Sequence, residues 1–332
     1  MSGMILAGVD VSAASFDAAM RIPGSPVARQ RQFQNNSDGW NQFLRWLLEK
    51  KPDGVQVCLE STGVYSLELA MLLHHSEDIE VMVVNPRSMS SFRDATMRRN
   101  KTDPEDSLLA LDYLERLGFK AWKAPSAQSW ELRQISRRIA ELVRLRTQEK
   151  NRLHAALTAQ TLAWLLKDIE LHIEQLDVHI ERLRTMAEQL IQSHPILARH
   201  HQQLLSVVGI GRISAIQILG ELAVLPEGMK AKQWVAWAGL DPIQYQSGSS
   251  VHLPPRISRR GNSQLRHALF LPALSACRHE PHFKLFSEQL LSRGKKPLQV
   301  KVAVMRKLLH AIFGMFKHDT EFEGSKVRAL AT

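Results

Sequence analysis

The chain has 332 residues, more than one average globular core accommodates, so two or three folding units are expected. Lys and Arg number 43 against 33 Asp and Glu, a net charge of +10 with the 14 His neutral, which favours a polyanionic partner. A composition 44% hydrophobic and 23% charged excludes a disordered basic tail protein, and two cysteines, Cys58 and Cys277, exclude a disulfide framework or a cysteine-based zinc module.

In chain order, residues 4–11 (MILAGVDV) read as a strand, SFDAAMRI as its hairpin partner and VARQRQF as a third strand. Residues 38–50 place Trp40, Phe43, Leu44, Leu47 and Leu48 on one helical face. The short buried strand VQVCLE, the helix VYSLELAMLLHH and the strand IEVMVVN come next. Strands alternating with helices after an initial meander indicate an α/β domain with a mixed sheet.

Four carboxylates stand at element ends in this region. Asp10 lies near the end of the first strand, Glu60 closes the fourth, and Asp103 and Asp106 stand three residues apart at a helix start, where both lean toward one face. If the first and fourth strands are adjacent and this helix crosses the sheet, all four converge. Clustered carboxylates repel one another, and Mg²⁺ or Mn²⁺ with hard oxygen ligands relieves that cost. Two such ions can clamp the attacking and leaving oxygens of a phosphodiester. The bland alternative stays open: Asp103-Pro104-Glu105-Asp106 is also a plain helix start with Asp as N-cap, and Glu60 and Asp10 could serve as turn residues.

From Ser126 helix breakers vanish: no glycine occurs between Gly118 and Gly209 and no proline between Pro125 and Pro195. Ile169, Ile173, Leu176, Ile180, Leu183 and Leu190 keep the spacing of a coiled-coil seam, and Leu132, Ile135, Ile139 and Leu142 form a similar face. Two long helices hairpinned near 158–161 are expected. Their arginines, among them Arg137, Arg138 and Arg144, suit either phosphate contact or a solvated face.

The last third reads as helical with a loop-rich centre at 239–264. Gly209-Ile210-Gly211 separates two helical stretches, as in a helix-hairpin-helix turn whose backbone N–H groups suit a phosphate, or as an ordinary glycine cap. Its surrounding apolar run, LLSVVGIGRISAIQILGELAVL, is interrupted by Arg212 and Glu221 and does not read as a membrane span. With no signal-type start either, a cytoplasmic protein is expected. Arg256, Arg259, Arg260 and Arg266 follow within eleven residues without an acid, beside Ser247-Gly248-Ser249-Ser250. Four arginines bind a phosphate backbone, and a serine there becomes a nucleophile only if activated. A further basic stretch holds Arg293, Lys295, Lys296, Lys301, Arg306 and Lys307.

The order of the acids resembles the ribonuclease H-like fold, more narrowly its RuvC-like branch. The phrases GVDVS, LESTGVY, VVNP and NKTDPEDSLLAL, followed by AGLDP, QSGSS and ISRRGNSQLR, are similar to the insertion-sequence 110 family of transposases, with a flavour of its 1111 subgroup and kinship to the Piv invertase. The resemblance covers roughly residues 4–115 and 200–312. It implies a RuvC-like domain at 1–125 whose DEDD acids match Asp10, Glu60, Asp103 and Asp106. A coiled-coil segment at 126–195, a mainly helical transposase domain at 196–320 with its catalytic serine at Ser247, and a tail at 321–332 complete the expected division. The resemblance further implies Mg²⁺ or Mn²⁺, double-stranded donor and target DNA, a noncoding bridge or seeker RNA, and a dimer or tetramer, in a prokaryotic cytoplasm. A junction-resolvase-like nuclease using the acids alone, and a non-catalytic nucleic-acid scaffold, are the rival readings.

Overall fold

The computed structural model describes residues 3–50, 52–61, 64–98, 102–247 and 251–329, in two compact units, Met1–Ala124 and Pro125–Thr332. The first contains β1 (Met4–Val11), β2 (Ser15–Arg21), β3 (Arg29–Gln34), α1 (Ser37–Leu48), β4 (Gly54–Glu60), α2 (Val64–His74), β5 (Ile79–Val84), α3 (Pro86–Ala95) and α4 (Asp103–Leu117). Its sheet runs β3-β2-β1-β4-β5, antiparallel across β3-β2-β1 and parallel across β1-β4-β5. Two parallel neighbours require a crossover, which the β2-β3-α1 excursion provides.

Side-chain alternation sends Ile5, Ala7, Val9 and Val11 to one face, where they pack with Phe16, Phe33, Phe43 and Leu47. Phe16 and Phe43 have ring centroids 5.2 Å apart, edge to face. The expected α1 face is right at Phe43 and Leu47 but differs at its end: Leu48 is 38% exposed, while Trp46 is buried against Phe33 and Phe43. The buried face of the helix is centred on Gly39, Phe43, Trp46 and Leu47, and at about 100° per residue Leu48 falls off it while the indole lies within it.

The opposite face carries Leu6, Cys58, Met82 and Val84 beneath Leu109, Ala110 and Leu114 of α4. Gly8 sets the approach of that helix, since a Cβ there would overlap Ser107 O and Leu111 N.

The second unit begins with α5 (Ala127–Thr158) and α6 (Ala163–Gln192), a long helical hairpin, followed by α7 (Pro195–Leu205), α8 (Arg212–Leu222) and α9 (Ala231–Trp237). A two-stranded ribbon, β6 (Pro242–Ser247) and β7 (Val251–Ile257), occupies the region expected as loop. Pro254 and Pro255 disguise the second strand in sequence, yet a two-stranded ribbon leaves edge positions where proline is tolerated. Then come α10 (Ser263–His279), α11 (Pro281–Ser292), α12 (Pro297–His318) and α13 (Ser325–Ala329).

The seam residues Ile169, Ile173, Leu176 and Ile180 are buried, with Leu183 and Leu190 partly so. Leu132, Ile139, Leu142, Leu176 and Ile180 belong to the same apolar cluster as Ile216, Leu269 and Leu308, so the base of the hairpin and the C-terminal helices share one core. Trp164 is 68% exposed near the hairpin's turn. No helix among the described residues is long and apolar enough to cross a membrane.

Candidate functional site

Asp10 is two residues beyond Gly8 on β1, and so on the α4 face of the sheet. Glu60 is two beyond Cys58 on the parallel neighbour β4, on that same face. Asp103 and Asp106 occupy the first turn of α4. The N-cap of this helix is Thr102, not Asp103 as the bland reading expected, and Asp106 gives its carboxylate to Arg93 instead of to a cap.

Asp10 feels all of them. Burial raises its carboxyl from the usual 3.8 to about 6, and Asp106, Asp103, Glu60 and Asp17 add to the shift in that order. Asp17, which was not among the candidate acids, lies directly across from Asp10 in the β1–β2 register and accepts a hydrogen bond from Gln32 Nε2 at 3.0 Å. The tight connection between β1 and β2 was the available signal, because pairing Val11 with Phe16 forces Asp10 opposite Asp17.

Among the described residues no three His, Cys, Asp or Glu side chains stand within chelating range of one point. Arg93 Nη2 donates to Asp106 Oδ1 at 2.5 Å, with both side chains largely buried, so this carboxylate is engaged by a cation of the chain itself. The donor set still suits a hard divalent cation such as Mg²⁺ or Mn²⁺, being all carboxylate oxygen, with the neighbouring acids adding to the shift that burial imposes on Asp10.

In the second unit Ser247 ends β6, paired in backbone register with Val251; its side chain, and Gly248, Ser249 and Ser250, lie outside the described residues. The strand after them leads into a loop pinned to the α9–β6 segment. Ser258 N donates to Asp241 O, Arg259 N to Gly239 O and Asn262 N to Trp237 O, at 2.8, 3.1 and 2.6 Å. Asp241 also accepts from the Ser258 hydroxyl. Gly261 needs its missing side chain, since a Cβ would overlap Trp237 O.

The candidate arginines divide. Arg256, Arg259 and Arg260 are exposed, and among the described residues no acidic side chain pairs with them. Arg266 instead turns inward, donating from Nη1 to Ala238 O and Gly261 O at 2.9 and 3.1 Å. Arg137 holds the buried Glu221, its Nε 2.6 Å from Oε1. Arg138 pairs with Glu141 on the helix surface, and Arg144 is exposed. Of the late basic stretch, Lys307 is buried with its ammonium 4.1 Å from the centre of the Phe286 ring.

Gly211 is the N-cap of α8, with open space around it, as an anion-accepting helix start requires. Gly209 has φ +104° and packs so near Pro272 O and Ala276 N of α10 that a side chain would not fit, which makes its need for glycine structural.

The chain is similar to known proteins along most of its length. A DEDD model of IS110, described as Transposase, matches residues 7–161, and one described as Transposase IS116/IS110/IS902 family matches residues 201–288. The chain is 26% identical over 329 residues to a pilin gene-inverting protein of Moraxella bovis, covering 95% of this chain and 97% of that protein. A pilin gene-inverting protein of Moraxella lacunata is similar at 26% with the same coverage. The 43.6 kDa protein of insertion element IS110 in Streptomyces coelicolor is 28% identical over 134 residues, 40% of this chain and 32% of that protein.

Proposed function

Because the chain belongs to the IS110 family of transposases and is a DNA recombination enzyme, we propose that it is an RNA-guided recombinase that breaks and rejoins DNA through Ser247 with help from Asp10, Glu60, Asp103 and Asp106. The observation that carries this reading is the environment of Asp10, a half-buried carboxyl pushed up to about 6 with four other acids acting on it. A helix start by itself would not involve Asp10, which lies on β1 and feels the first-turn acids of α4. The mixed sheet, with acids at the carboxyl ends of its two central parallel strands, supports a ribonuclease H-like, RuvC-like assignment for the first unit.

The four carboxylates would hold Mg²⁺ or Mn²⁺, which when bound supplies charge neutralisation at the phosphodiester. The Ser247 hydroxyl oxygen forms a bond to a DNA phosphorus, its proton passes to a base, and the bond from phosphorus to the departing deoxyribose oxygen breaks as that oxygen gains a proton. Attack by a hydroxyl of the exchanged strand reverses these bonds and frees the serine, so bond energy is conserved. Arg256, Arg259 and Arg260 hold the backbone charge. Sequence choice by a noncoding RNA, and assembly of acids and serine from different protomers of a dimer or tetramer, are what membership of the family adds to this reading.

The decisive experiment traps the protein on a DNA carrying a cleavable junction and resolves it under denaturing conditions. A covalent adduct that disappears in Ser247→Ala and is weakened in Asp10→Asn is expected. Unchanged cleavage by Ser247→Ala would favour a nuclease that works with the acids alone.

A further inference from the structure

Glu221 is 2% exposed on α8, yet it is fully engaged. Arg137 donates from Nε to Oε1 and from Nη2 to Oε2, at 2.6 and 3.2 Å; Arg133 Nε reaches Oε2 at 3.2 Å; and Asn262 Nδ2 reaches Oε2 at 2.6 Å. The two arginines come from α5, which lies so close to α8 that a Cβ on Gly220 would overlap Ser136. Burial alone would raise the Glu221 carboxyl, but the Arg137 hydrogen bond and the charges of Arg133 and Arg137 hold it below its ordinary value.

Asn262 is the unusual member. Its Oδ1 accepts from Gln264 N and Leu265 N, so it caps α10, while its Nδ2 is spent on Glu221. The residue that starts α10 is therefore tied to the long helix α5 through one carboxylate. Ahead of it, across Gly261, stand Arg259 and Arg260, exposed, with Arg259 in the left-handed region at φ +51°. A non-glycine residue there is held against its preference by the surrounding bonds.

We infer that Glu221 is a positioning residue for the recombination reaction: through Asn262 it sets the place at which Arg259 and Arg260 meet a nucleic-acid phosphate backbone. Arg133 and Arg137 serve it as internal counter-charges, and Arg266 braces the same loop from the other side by its bonds to Ala238 O and Gly261 O. The inference rests on the reading that the exposed arginines of this loop bind phosphate.

The test uses the full-length chain and fluorescence anisotropy with a labelled DNA duplex of arbitrary sequence and, separately, a labelled RNA hairpin, each titrated across salt. Each phosphate contact on a duplex contributes a slope of about −0.9 to the log of affinity against log salt. Arg259→Ala with Arg260→Ala is expected to flatten that slope by about two contacts. Asn262→Ser keeps a capping oxygen but loses the donor to Glu221; it is expected to flatten the slope by about one contact and weaken binding about tenfold at moderate salt. Its thermal unfolding should stay near that of the parent, and Glu221→Gln should add little further loss to Asn262→Ser, because both act through one link. Loss in the duplex arm assigns the loop to DNA, and loss in the hairpin arm alone assigns it to RNA. If the double arginine variant changes the slope and Asn262→Ser does not, the positioning role is overturned. If the double variant changes nothing in either arm, the phosphate reading of the loop falls, and the inference with it.

Discussion

Asp10→Asn offers a quantitative test of the acid cluster. The native carboxyl titrates at about 6 against an ordinary 3.8, so between those values the folded chain binds the proton more tightly than the unfolded one. Stability contributed by this proton is present below about 3.8 and is lost as pH rises through about 6. Two units correspond to about 3 kcal/mol. Asp10 is only partly buried, and solvent screening brings that to roughly 1–2 kcal/mol. Removing the charge should therefore stabilise the chain at pH 8 by roughly that amount, a rise in Tm of about 5 °C for a unit of this size. The gain should fade toward pH 4. Thermal unfolding by circular dichroism across that range reads the effect, and Mn²⁺ should stabilise the parent while leaving the variant nearly unmoved. An Asp10→Asn chain that is equally or less stable at pH 8 would refute the claim that burial and the neighbouring carboxylates together hold this carboxyl above its ordinary range.

Other outcomes follow from separate contacts. Arg93→Gln frees Asp106 from a largely buried ion pair, and Mn²⁺ affinity measured by electron paramagnetic resonance should rise about fivefold; weaker binding would show that Arg93 organises the site instead of competing for it. Glu221→Ala leaves two guanidinium groups facing a cavity and should cost about 3 kcal/mol in denaturant unfolding, against little for Glu141→Ala in its exposed pair. Because the Glu221 carboxyl lies below its ordinary 4.5, its stabilisation is complete above that value and drains away as pH falls below it; Glu221→Gln should show a shallower acid limb. Gly8→Ala should push α4 from β1 and cost about 2 kcal/mol, with Mn²⁺ binding weakened in the same variant.

Much of the first unit was legible because its strands alternate cleanly and its acids fall at element ends. The Asp10-Glu60 adjacency could be written only as a condition, since strand order is a long-range property that pairing decides; β1 beside β4 satisfies it. Arg93 was invisible as a partner of Asp106, because nothing in local spacing links α3 to the first turn of α4. In the second unit, periodicity marked the long helices well but could not separate an arginine that faces solvent from one that faces a buried acid. Arg137 and Arg138 are neighbours in sequence, yet one grips Glu221 and the other a surface glutamate. Prolines concealed β7 for the same local reason that they conceal any ribbon whose pairing tolerates them.

The long hairpin of the second unit has two mechanical regimes. Near its base α5 shares the main core, whereas Ile169 and Ile173 toward the turn are buried outside that cluster. The outer half, some 15 residues and about 22 Å long, is thus an arm clamped at one end. A tilt of a few degrees at the clamp swings its turn, with the exposed Leu162 and Trp164, by about 2 Å. Arg133 and Arg137 sit at that clamp and share Glu221 with Asn262, so the base of the arm and the start of α10 are fastened to one carboxylate.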